Sequence, residues 1–197
     1  MPMTTPEIGL REQILSAAQR LFIQHGYHGL AMREISEAVG VSKAALYYHF
    51  KDKEELFLAI LKAYLDEVES AIDGIIVQPV TCSEKIGFFV EYILEQPAEQ
   101  RAITRLASQE ISQVSVESRK AFNQLYHEKF IDKLMLILQT GIERGEFRPI
   151  KPEVATWALM GIMYPYFYPT QTGNAPLSVE TIREIVAIYI NGISQNG

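Results

Sequence analysis

Ala31-Met32-Arg33-Glu34-Ile35-Ser36-Glu37-Ala38-Val39-Gly40-Val41-Ser42-Lys43-Ala44-Ala45-Leu46-Tyr47-Tyr48-His49-Phe50-Lys51-Asp52-Lys53 is the stretch that decides how this 197-residue chain is read. Met32, Ile35, Ala38 and Val39 recur at helical spacing and make a short amphipathic segment. Gly40 stands where the chain must reverse, and a residue without Cβ tolerates the backbone angle that a reversal needs. Ser42 is placed to cap a second short segment that runs to about Phe50. Two short helices joined by so tight a turn have the length of a helix-turn-helix. The second is unlike an ordinary surface helix. Ala44 and Ala45 let a backbone approach a surface, while Lys43, Tyr47, Tyr48 and His49 are donors of different reach. Lys53 opens the next helix, where an ammonium and free backbone N–H groups can both meet a phosphate. Taken alone, two adjacent tyrosines more often pack than touch DNA, and a lone His49 more often caps or packs.

Working outward, the flanking segments are helical too. Leu10, Ile14, Ala17, Leu21 and Phe22 form an earlier helix stopped by Gly26. Asp52 and Glu55 make a capping box for a helix with the apolar face Leu56, Ile60, Leu61, Tyr64, Leu65 and Val68. Thr81 and Glu84 make another, opening a helix through Phe88, Phe89, Tyr92 and Ile93. Pro97 restarts a helix through Ile103 and Leu106. One long helix is predicted from about Ser115 to Arg144, ended by Gly145 and Pro149. Lys151 to about Phe167 is apolar nearly all round and is predicted to be buried. A loop from Pro169 to Pro176 precedes a last helix that begins near Ser178. No stretch alternates at period two. The fold class is therefore all-α, about nine helices. An N-terminal three-helix helix-turn-helix domain (1–52) is joined to a C-terminal helical domain for ligand binding and dimerisation (53–197).

Charge and composition narrow the function classes. The chain carries −6 overall, which does not suggest a nucleic-acid binder. Residues 1–53 hold six basic and five acidic side chains, +1, and three of the four histidines. The remaining residues hold twelve basic and nineteen acidic ones, −7. The sign of the asymmetry is the one expected if only the first segment faces phosphate. Met1 to Glu7 lacks the pattern of a signal peptide. No apolar run is long enough to span a bilayer, and one cysteine, Cys82, cannot form an internal disulfide. A cytoplasmic protein without a membrane association is expected. An enzyme is not expected. The only histidine after residue 53, His127, has Gln124 three residues before it, not the glutamate of a di-metal site. No phosphate loop or Gly-x-Ser-x-Gly motif is present. No catalytic residue, cofactor or metal is predicted.

The segment from Ala31 to Leu56, with Ile14-Leu15-Ser16-Ala17-Ala18, Leu21-Phe22 and Gly26-Tyr27 before it, resembles the signature of the tetracycline-repressor (TetR/AcrR) family. The likeness covers residues 10–57 and is highly specific. Beyond it, only length and helical character are similar. The resemblance implies a sequence-specific transcriptional regulator, expected to be a homodimeric repressor that a small apolar or aromatic effector releases from double-stranded operator DNA. It implies one helix-turn-helix per subunit and an effector pocket in the second domain. By position, Arg33 and Lys43 match side chains that reach the major groove. Ala44 and Ala45 match positions touching bases or thymine methyls, and Tyr47, Tyr48, His49 and Lys53 match backbone contacts. Ser42 completes the set expected at the DNA. Leu46 and Phe50 match core positions. Ala31 and Met32 depart from the family by replacing threonines that often bind phosphate, and Ala44-Ala45 replaces a Gly-Thr type pair.

Two further expectations come from the residues themselves. Phe89, Tyr126, Trp157 and Met160 are predicted to line the effector pocket, with Arg105 or Glu110 as a candidate charge. The apolar stripe Ile182, Ile185, Val186 and Tyr189 is predicted to form the dimer interface.

Overall fold

The computed structural model describes residues 9–168 and 177–195, so the Pro169–Pro176 loop lies outside the described residues. Three helices form the N-terminal head: α1 (Leu10–His25), α2 (Met32–Val39) and α3 (Lys43–His49). Their ends follow local chemistry. The Glu34 carboxylate accepts the Ala31 N–H at 2.7 Å, satisfying one donor that α2 would leave orphaned. Gly40 takes φ 76°, and the Val41 N–H then closes the turn onto the Ser36 carbonyl at 3.0 Å. Ser42 Oγ accepts the Ala45 N–H at 3.1 Å and starts α3.

The longest helix, α4 (Lys53–Ile76), begins in the head and ends in the body. Asp52 caps it by accepting the Glu55 N–H at 2.8 Å. Its first turns belong physically to the head. Phe57 meets Phe22 edge-on at 5.3 Å and Tyr27 at 5.1 Å, and all three rings are buried. The later residues Ile60, Leu61, Leu65, Val68 and Ile72 face the second domain's core.

The body consists of α5 (Cys82–Leu94), α6 (Ala98–Glu110), α7 (Val116–Tyr126), α8 (Asp132–Glu143), α9 (Pro152–Met163) and α10 (Val179–Ile193). Two sequence expectations need refinement. The long helix from Ser115 is interrupted by a π turn at His127–Ile131, which shifts the helical phase between buried Phe122 and buried Phe130, Ile131 and Leu134. That rod is tied to α4 by Lys129, which reaches Asp66 and Glu69, and by Lys133, which reaches Glu69 and Asp73. The helix from Lys151 stops at Met163 and tightens into a 3₁₀ turn over Tyr164–Phe167, where Pro165 lacks the N–H that would continue it. It is not buried all round either: Val154 and Trp157 are exposed. No described helix is long and apolar enough to cross a membrane.

The predicted dimer stripe is corrected by the fold. Ile182, Ile185 and Tyr189 are buried within the single chain. Tyr189 donates its hydroxyl proton to the Ala155 carbonyl at 2.9 Å, fastening α10 to α9. Val186 is half-buried and faces Gly87 of α5, where an added Cβ would lie 3.6 Å from its Cγ1. An apolar stripe marks a buried face, and here α5 and α9 of the same chain do the burying. The outward apolar groups of these helices include Val179, Ala187 and Ile188 on α10 and Val154, Trp157 and Ala158 on α9.

Candidate functional site

The outer face of the head collects almost all the predicted DNA-facing residues. On α3 the single buried side chain is Leu46, and Phe50, just beyond the helix, is buried as predicted. Ser42, Lys43, Ala44, Tyr47 and Tyr48 are exposed, while Ala45 and His49 are half-buried. Tyr48 is 86% exposed, so packing within the chain does not account for it. Its ring meets only the neighbouring His49 edge-on at 5.2 Å. Lys43 lies over the Tyr47 ring at 5.7 Å. From α2, Arg33 projects into solvent with a loose ion pair to Glu37 at 3.3 Å, a pair too exposed to hold it firmly. Met32 is buried, so it supplies core where a threonine would supply a hydroxyl.

Lys53 does not join this face as a free cation. Its ammonium donates to the Tyr27 carbonyl at 2.7 Å and to the Leu30 carbonyl at 3.1 Å, and it sits 4.3 Å above the Tyr27 ring. These contacts fasten the turn between α1 and α2 to the start of α4. What this helix end leaves towards solvent is the backbone N–H of Lys53 and that of Glu54, the Glu55 N–H being taken by Asp52.

Glu54, next along, is a residue that sequence reasoning missed. Its carboxylate accepts the Ser115 N–H at 3.0 Å and hydroxyl protons from Ser115 at 2.7 Å and Ser118 at 2.6 Å. Hydrogen bonds from Ser118 and then Ser115 hold its pKa below the usual carboxylate value. The carboxylate therefore caps α7 from outside the helix and joins head to body. His28 adds a second tie, with Nε2 2.6 Å from Gln113 Oε1. Nothing in one sequence signals a pairing across 61 residues; Ser115 reads there only as the approximate start of a long helix.

In the body, Phe89, Tyr126, Trp157 and Met160 all line one cavity of about 300 Å³. One wall is α4, through Leu61, Tyr64, Leu65 and Val68; α6 and α7 contribute Ile103, Thr104, Phe122 and Asn123. The lining contains no Asp, Glu, Lys, Arg or His among the described residues. Arg105 and Glu110 face a separate cleft between α6 and α1, beside Phe22, Gly26 and Tyr168, so neither charges the cavity. Several lining residues carry polar groups that the sequence does not single out, Ser108 and Asn123 among them; Tyr64 reads there only as part of an apolar face, and Thr104 gives no signal. The Thr104 hydroxyl donates to the Tyr64 oxygen at 3.2 Å. Burial pushes the Tyr64 hydroxyl up to about 12 and raises that of Tyr126 further.

Comparison with known proteins places both halves. Residues 14–60 match the model of the bacterial regulatory proteins of the tetR family, and residues 79–165 match a tetracyclin repressor-like C-terminal domain. The HTH-type transcriptional regulator YhgD of Bacillus subtilis (strain 168) is 25% identical over 190 residues, covering 96% of this chain and 99% of that protein. The crystal structure of the TetR family transcriptional regulator PfmR from Thermus thermophilus is 27% identical, with a TM-score of 0.77 over 90% of this chain and 97% of that one. AibR, solved in complex with isovaleryl coenzyme A and operator DNA, shares the fold at 24% identity, with a TM-score of 0.74 over 91% of this chain and 97% of AibR. With a helix-turn-helix head matched by one model and a helical body by the other, this chain is a member of the tetR family, a DNA-binding transcriptional regulator and not an enzyme.

Proposed function

We propose that the protein is a homodimeric repressor that an apolar small molecule, bound in the body's cavity, releases from its operator. The observation that carries this reading is the continuity of α4. At its first residue, Lys53 holds the carbonyls of Tyr27 and Leu30 in the head. Two to four turns later the same rigid helix supplies Leu61, Tyr64, Leu65 and Val68 to the cavity wall. A ligand that repacks this wall tilts α4 and moves the head with it. The Glu54 clasp on Ser115 and Ser118 gives α7, another cavity wall, a second hold on the same helix end. Release requires only that the ligand bind the DNA-incompetent arrangement more tightly. AibR, of the same fold, has been crystallised with a small molecule and operator DNA together, which supports a two-site reading here.

At the DNA, Arg33, Lys43, Ala44 and Ala45 are assigned to the bases and Ser42, Tyr47, Tyr48 and His49 to the backbone. Lys53 acts there through backbone N–H groups at the start of α4, its ammonium being committed to the head. The dimer is assigned to the outward apolar faces of α9 and α10, with Val154, Ala158 and Ile188 at its centre. Doubling two packed helices by a two-fold axis gives a four-helix interface. Two subunits then present α3 to successive major grooves about one helical turn apart.

The test starts by selecting an operator from a random DNA pool and measuring its affinity by fluorescence anisotropy. Neutral apolar compounds that bind the cavity should weaken operator binding, and operator should weaken compound binding by the same factor. Glu54→Gln should reduce that factor while leaving both single affinities close to wild type. A compound that binds the cavity with no change in operator affinity would defeat coupling through α4.

A further inference from the structure

Tyr64 and Tyr126 place two phenol groups in a mostly apolar cavity whose lining carries no ionised side chain and whose other polar groups belong to Thr104, Ser108, Asn123, Trp157 and Tyr164. Resting on the reading of this cavity as the effector site, we infer that the effector is a neutral apolar molecule with a carbonyl-type acceptor, held by the Tyr64 and Tyr126 hydroxyls. The donor inventory leads there: the Ser108 hydroxyl is spent on the Arg105 carbonyl at 2.8 Å, the Tyr164 hydroxyl pairs with that of Tyr168 at 2.6 Å, and Asn123 is exposed. The Tyr64 oxygen already accepts the Thr104 hydroxyl proton at 3.2 Å, so what Tyr64 has left to offer is its own proton. The Tyr126 ring is held by Phe130, at 5.2 Å between centroids, but its hydroxyl has no hydrogen-bond partner among the described residues. Both residues line the same cavity. Burial raises both pKa values, which keeps both phenols protonated and therefore donors at neutral pH.

A ketone, ester or thioester oxygen accepts two such protons, one per lone pair. A hydrocarbon leaves both hydroxyls unsatisfied inside an apolar chamber, at a cost. A carboxylate would satisfy the donors but would carry its full charge among apolar walls with no cation to pair with it. A quaternary ammonium has no use for the donors and relies on the aromatic walls alone.

Trp157, the only tryptophan in the chain, lines the same cavity and reports on its occupant. The experiment is a titration of Trp157 fluorescence in the full-length protein with four chain-matched probes: methyl decanoate, undecane, decanoate and decyltrimethylammonium. Methyl decanoate should bind at least about tenfold more tightly than either ion. Tyr126→Phe should weaken methyl decanoate by about threefold to tenfold, the worth of one net hydrogen bond, and leave undecane unchanged. Retained undecane binding certifies the variant as folded, and Tyr64→Phe should act in the same direction. The inference is overturned if decanoate or decyltrimethylammonium matches methyl decanoate, or if ester affinity survives both substitutions. In either case the cavity still binds apolar molecules and the effector reading stands. Binding of none of the four, undecane included, would overturn the effector reading itself and this inference with it.

Discussion

Helices α3 and α10 make an instructive pair. Each is amphipathic, each carries tyrosine and aliphatic groups, and each is expected from sequence to meet a partner outside the chain. In α3 a single side chain, Leu46, is buried, while Tyr48 stands 86% exposed. In α10 four side chains, Ile182, Ile185, Tyr189 and Ile193, are buried within the chain itself. The two differ in what surrounds them. Helix α3 is seven residues long at the edge of a small head, with α2 against one side. Helix α10 lies between α5 and α9, which take up its apolar stripe before any second subunit arrives. Exposed aromatic groups that cost solvation and receive no packing mark an interface more reliably than a stripe does.

The largest test of this contrast is a pair of substitutions one turn apart. Ile185→Glu buries an unpaired charge and should cost about 4 kcal/mol or more, unfolding much of the protein. Ile188→Glu lies on the outward face and should change the melting temperature little while shifting the proposed dimer towards monomers. Circular dichroism melts and analytical ultracentrifugation separate the two. A folded, monomeric Ile185→Glu variant would restore the original stripe as the interface.

The next effect sharpens what belongs to the head's surface. Lys53→Met removes two charge-assisted bonds to the Tyr27 and Leu30 carbonyls and should destabilise the head by about 3 kcal/mol. Operator binding would fall with folding, most steeply near the melting temperature. If the variant melts like wild type and merely lowers the salt slope by about one, the ammonium is a phosphate contact after all.

Lys43→Ala should leave stability intact, because its side chain touches only the Tyr47 ring within the chain. It should cost roughly 1–3 kcal/mol per half-site and relax base preference at one position, which anisotropy against an operator series reads directly. A loss equal across all sequences would reassign Lys43 to the backbone. The smallest expected change is that of Tyr48→Phe. Losing one hydroxyl-to-phosphate bond costs about 1 kcal/mol of operator affinity and nothing in stability. An unchanged affinity would leave the ring, and not the hydroxyl, as the working part.

Local chemistry, which a sequence carries in full, determined the head: the Ile35 and Leu46 core positions, the Gly40 reversal, and the Ser42 and Asp52 caps. In the body it set the Thr81 cap and picked out Phe89, Tyr126, Trp157 and Met160, because large apolar groups spread over several helices of one body must converge somewhere. Convergence itself belongs to the tertiary structure. Only the fold decided that Arg105 and Glu110 face a different cleft, that the Lys53 ammonium turns inward, and that Glu54 finds Ser115 and Ser118. Helical periodicity likewise fixed which face of α10 is buried but not by whom. A period records that a face avoids water, and the neighbour that covers it is chosen by how distant helices pack.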